Sequence, residues 1–241
     1  MQPSLRPTVL LLLSLLMGLT AATASAQRQK VKNLPYYDTR LLHWGFCLGM
    51  DLPDITFTHT GSAEGEGWWA STTQASPAFR VGLMGDLAIT QHLNVRVSPM
   101  LLFQQRNVTF SRTLADASRE EVVQQLKTTY IEVPVSLKVS TRRINNYRPY
   151  LVAGAQVDLD MNHEKETPIV FRRLDVGLHI GMGCDVYLPF FKLAPELRLH
   201  WGLLDMIDHE RATLQDETMR PYTDAIRSAH NKGISLVFWF E

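Results

Sequence analysis

Along residues 130–140, YIEVPVSLKVS, apolar and polar side chains alternate with a period of two. Ile131, Val133, Val135, Leu137 and Val139 share one face, and Glu132, Ser136 and Lys138 lie on the other. A helix would group Glu132, Ser136 and Val139, which sorts nothing. The pattern predicts a strand with one apolar face. Six further stretches sort the same way: 43–50, 79–89, 93–103, 150–159, 174–186 and 191–203. So does the final segment, where Ile234, Leu236, Phe238 and Phe240 alternate with Ser235, Val237 and Trp239. That makes eight strands, and no apolar face among them carries a charge.

The opposite faces hold Arg80, Asp86, Arg96, Glu132, Lys138, Asp158, Asp175, Asp185, Lys192, Glu196 and Arg198, interspersed with glycines. A soluble barrel would turn its apolar faces inward, and an outer-membrane barrel would turn them toward lipid. Three features favour lipid. Glycine clusters on the charged faces, where a narrow eight-stranded lumen needs room. Short connections at 90–92, 141–146 and 188–190 alternate strictly with long ones at about 58–78, 104–129, 160–173 and 204–232, as in membrane barrels. Aromatics collect toward both strand ends, with Trp44, Tyr187, Phe191, Phe238 and Phe240 at one rim and Phe79, Phe103, Phe171 and Trp201 at the other.

The predicted fold is an all-β, eight-stranded antiparallel transmembrane β-barrel of outer-membrane type, with both ends periplasmic. Near-equal numbers of lumenal acids and bases predict pairing across a filled interior. Pro99, Pro134 and Pro195 lie inside strands, and bulges or local irregularity are expected there. DASREEVVQQL (116–126) and YTDAIRSAH (222–230) are expected to form short amphipathic helices in outer loops.

Composition narrows the reading. The 241-residue chain has no net charge, which argues against nucleic acid as a partner. Residues 1–26 read as a cleaved signal peptide, with Arg6, the apolar run 9–19 and ASA at 24–26. Residues 27–42 then form a periplasmic N-terminal segment, and 43–241 the barrel domain. Cys47 and Cys184 point to opposite sides of the sheet, so no disulfide is expected.

NLPYYD (33–38), HWGFCLGM (43–50) and the closing ISLVFWFE (234–241) resemble the two ends of PorT-type proteins. These are small outer-membrane barrels associated with type IX secretion in Gram-negative bacteria. The resemblance implies a non-enzymatic accessory or assembly role, with secretion-system proteins as partners. Outer-membrane lipid and the barrel-assembly machinery are the other partners expected. Alternative readings are a small porin-like protein of general role or an outer-membrane hydrolase.

Candidate chemistry gathers on adjacent strands, at Asp175, His179, Asp185, Glu196, Arg198 and His200. Acids and histidines near a barrel mouth suit hydrolysis, and the same residues suit a structural ion-pair plug. No G-x-S-x-G or H-E-x-x-H occurs. DMIDHER (205–211) holds acids and a histidine, at spacings unlike a known calcium loop. No catalytic, cofactor-binding or metal-ligating residue and no cofactor is therefore assigned.

Overall fold

The structure is a computed structural model, and it describes residues 31–59, 69–74, 76–113, 119–161, 172–207 and 226–241. Its strands are β1 (Leu42–His59), β2 (Trp69–Gln74), β3 (Ala78–Ala88), β4 (Leu93–Val97), β5 (Met100–Thr113), β6 (Arg119–Ser140), β7 (Tyr147–Asp160), β8 (Leu174–Tyr187), β9 (Lys192–Gly202) and β10 (Ile226–Phe240). A 3-10 turn at Tyr37–Thr39 precedes them. Every strand pairing is antiparallel.

The sheet closes on itself. β1 pairs with β10 from Phe46↔Phe240 outward, and with β3 from Leu42↔Leu87 to Asp51↔Ala78. β2 with β3, and β4 with β5, each occupy one wall position, so the ring has eight strands. Closure leaves no strand edge along the wall. The connections at 89–92, 141–146 and 188–191 share one end with the start of β1 and the end of β10.

The faces fall where alternation put them. Trp44, Leu83, Leu137, Leu151, Ile180 and Met182 are exposed on the outside. Arg80, Arg96, Lys138, Glu196 and Arg198 are at most 2% exposed and point inward. Cys47 lies inside and Cys184 on the outer face, and both are free. Among the girdle aromatics, Tyr187 departs from expectation. It follows the outward-facing Val186, so it turns inward and is buried. Phe171 lies outside the described residues.

Two expected helices are strands over their described residues. β5 and β6 keep one register for fourteen consecutive pairs, from Met100↔Glu132 to Thr113↔Arg119. Residues 119–126 therefore extend the wall hairpin, with Val122 opposite Phe110 and Val123 opposite Thr109. Cross-strand pairs of this kind stabilise a ladder where a lone helix would have nothing to pack on. Likewise Ile226–His230 opens β10, with Ala229 opposite Phe57. Residues 116–118 and 222–225 lie outside the described residues.

Local irregularity does occur at prolines, as gaps in the ladder without a shift of register. Ser98 and Pro99 separate β4 from β5, yet register is unchanged across the break. Val97 and Met100 face Val135 and Glu132 on one side, and Gly85 and Gly82 on the other. Pro134 opposite Gln156 and Pro195 opposite Phe238 keep the pairing on those sides, whereas the β8–β9 ladder skips Ala194 and Pro195 and resumes in the same register at Val186↔Leu193. A proline removes only one donor, and its own carbonyl still accepts: Pro99 O takes Leu83 N–H at 3.0 Å.

Leu178 and His179 test which face meets lipid. Leu178→Arg places a charge in hydrocarbon at a cost of roughly 2–4 kcal/mol and is expected to block membrane assembly. His179→Gln keeps a hydrogen-bonding group for Ser136, 2.8 Å away, and is expected to assemble. Heat-modifiable gel mobility of the two variants reads the difference; equal behaviour would mean the faces are reversed.

Candidate functional site: a charge-filled lumen

Alternation sends every second side chain into a narrow interior, and the charges there meet in three levels. Nearest the short-turn end, Lys138 Nζ donates to both oxygens of Asp185 at 2.8 Å. Lys192 pairs with Glu241 beside them, and Asn94 Nδ2 donates to Asp86 at 2.5 Å.

The middle level centres on Glu196. Its Oε1 accepts from Arg198 Nε at 3.0 Å and Nη2 at 2.6 Å. Its Oε2 accepts from Arg96 Nη1 at 3.1 Å, Tyr150 Oη at 3.0 Å and Trp239 Nε1 at 3.1 Å. Arg96 also donates to Asp86 through Nε at 3.2 Å and Nη2 at 3.0 Å. Its guanidinium lies 4.7 Å from the Trp239 ring centre, close enough for cation–π attraction. Gly183 makes room for this level, because a Cβ there would stand 2.4 Å from Tyr150 Cζ.

At the upper level Arg80 forms a bidentate pair with Asp51, both bonds 2.7 Å, and reaches Glu132 at 3.2 Å. Gln156 Nε2 donates to Asp158 at 2.8 Å. Above it apolar residues enter the filling, with Ile55, Met206, Ile207, Ile226 and Ala229 buried alongside polar groups such as Gln104, Thr128 and Asn231.

All six sequence candidates face this interior and are buried. Asp185, Glu196 and Arg198 are ion-paired. His179 and His200 stand opposite each other on β8 and β9, with His179 bonded to Ser136. The residues that complete the pairs come from distant parts of the chain, which the sequence pattern does not link. Arg96 lies 100 positions from Glu196, and Asp51 lies just past the stretch read as the first strand. Continuing the alternation past Met50 would have found Asp51.

Asp205 accepts the N–H groups of Ile207 at 3.1 Å and Ala229 at 2.9 Å. It therefore caps a turn, and residues 208–211 of DMIDHER lie outside the described residues. Among the described residues no group of three or more His, Cys, Asp or Glu is arranged to hold a metal.

A closed antiparallel ring with an apolar exterior and paired charges inside is an outer-membrane β-barrel. The chain matches the family described as outer membrane protein beta-barrel domain over residues 25–208, and it belongs to that family. Its place is the bacterial outer membrane, with the short-turn end in the periplasm. A comparison with curated proteins finds no match. Among solved structures it is similar to Neisserial surface protein A at 11% identity, covering 80% of this chain and 95% of that one, TM-score 0.38. OprG from Pseudomonas aeruginosa is 13% identical, with 83% and 91% covered and TM-score 0.41. Ail of Yersinia pestis, solved with a heparin analogue, is 11% identical, with 82% and 96% covered and TM-score 0.36.

Removing Glu196 tests the central level. Glu196→Leu takes the carboxylate from Arg198 and leaves Arg96 only its Asp86 bonds, a loss expected to cost about 3–5 kcal/mol. The temperature at which the folded gel band converts should fall well below that of the wild type. An unchanged conversion temperature would refute the central role of Glu196.

Proposed function

We propose that this barrel is a non-enzymatic accessory or assembly factor of type IX protein secretion. The observation that carries the reading is the obstruction of the lumen by Arg96, Tyr150, Glu196, Arg198 and Trp239, all buried. A barrel so filled works through its surfaces and ends rather than as a conduit. The PorT-like sequences at 33–38, 43–50 and 234–241 supply the link to secretion. In this reading the wall anchors the protein in lipid, and secretion-system proteins dock on its outer extensions or its periplasmic end.

Deletion of the gene in the native host, followed by assay of secreted cargo and of the secretion complex, tests the role. Cargo should accumulate inside the cells. Normal export with an intact complex would overturn the proposal. Planar-bilayer recordings of the purified barrel are expected to show no stable open conductance, and a steady channel would favour the porin-like alternative.

A further inference from the structure

Beneath the barrel, the chain from Asn33 to Arg40 runs as a strap along the periplasmic turns. Its 3-10 turn buries no residue, and polar contacts hold it in place. Asp38 sits between Arg143 at 3.6 Å and Arg148 at 3.2 Å. The Tyr187 hydroxyl donates to the same carboxylate. Arg143 is itself set against the Tyr187 ring, 3.6 Å from its centre. It donates to the carbonyls of Leu34, at 3.2 Å, and Asn33.

Two features mark the strap as separable from the wall. Apart from the half-buried Tyr37, whose ring lies 4.7 Å from that of His43 and whose hydroxyl donates to Glu241, it contributes little buried apolar surface, the signature of a segment that opens at low free energy. Leu34 has φ of 49°, a left-handed conformation that a bulky residue adopts only when its surroundings impose it. Arg143 and the Tyr37 N–H both hold the Leu34 carbonyl in that state. Releasing the clasp therefore relieves strain at its hinge. Under the strap lies a polar cavity lined by Asp38, His43, Lys138, Arg148, Asp185 and Lys192.

We infer that Arg143, Arg148 and Tyr187 form a carboxylate-binding seat that Asp38 occupies in cis, making the strap a latch that an acidic segment of a periplasmic protein displaces. Arg148 and Tyr187 both donate to Asp38 Oδ1, charge-assisted bonds of the strong kind, and Arg143 faces Oδ2 as an ion pair. Asp38 keeps 29% of its side chain exposed, whereas the arginines are 10% and 12% exposed. The occupant is thus nearer solvent than the seat, as an exchangeable occupant should be. The inference stands on the strap geometry and does not depend on the secretion role.

Asp38→Asn in the full chain, reconstituted in lipid, empties the seat of charge and leaves the wall intact. Hydrogen exchange at the Tyr37 and Arg40 amides, which bond within the strap, should rise sharply over wild type. A synthetic peptide with the strap's own sequence, NLPYYDTR, should bind this variant about tenfold more tightly than wild type. Adding Arg143→Ala should abolish the gain, and a peptide with Asn in place of its Asp should not bind. Unchanged exchange in Asp38→Asn would overturn the latch. Equal peptide binding to wild type and Asp38→Asn, or binding that survives Arg143→Ala, would overturn the seat. Heat-modifiable mobility confirms in each case that the barrel is folded.

Discussion

The carboxylate of Glu196 takes five hydrogen bonds from Arg96, Arg198, Tyr150 and Trp239, and much of the barrel's arrangement follows from the need to satisfy it. Lipid disfavours charge on the outer face, so charged residues within the lipid-facing span of a strand turn inward, and the outward pair Asp54–Lys232 is half exposed. Inside, an unpaired ion costs several kcal/mol, as an order of magnitude. The solution is one carboxylate shared by donors from β4, β7, β9 and β10. β4 and β9 are not neighbours in the sheet. The contact therefore braces walls that the backbone ladder does not join.

That brace has a steric condition. An eight-stranded lumen has little spare volume, and two arginines, a tyrosine and a tryptophan fill its middle. Glycine at 183 supplies the space for the Tyr150 ring. The same crowding occupies the middle of the lumen, and the barrel's two ends carry its other distinctive features. The β5–β6 hairpin carries one end well past the wall, and the strap covers the other.

How much of this could be read from sequence depended on how hard the environment enforces a pattern. Lipid tolerates no exception, so Leu151, Ile180 and Leu236 announced their face plainly. Beyond the lipid nothing demands alternation, and REEVVQQL (119–126) shows Val122 and Val123 side by side. That spacing suits a helix on paper, while the actual constraint is pairing with Phe110 and Thr109, which local reading cannot weigh. The lumenal residues were legible as a set because each lies opposite an apolar neighbour. Their partners were not, because Arg96 reaches Glu196 through the interior from a strand 100 positions away. Tyr187 differs: its aromatic character near a strand end suits a girdle, while the parity of its own strand turns it inward.

The ion pairs of the middle and the clasp of the periplasmic end obey the same electrostatics with opposite consequences. Around Glu196 the groups are sealed from water, so breaking any one bond exposes a charge to a medium that cannot solvate it. Around Asp38 water reaches the carboxylate, and a broken pair is solvated at once. The first arrangement fixes the wall, and the second permits exchange of one carboxylate for another. Both arrangements use arginine, whose planar fork holds a carboxylate in a defined orientation. The depth at which the fork is placed decides whether it serves as a brace or as a latch.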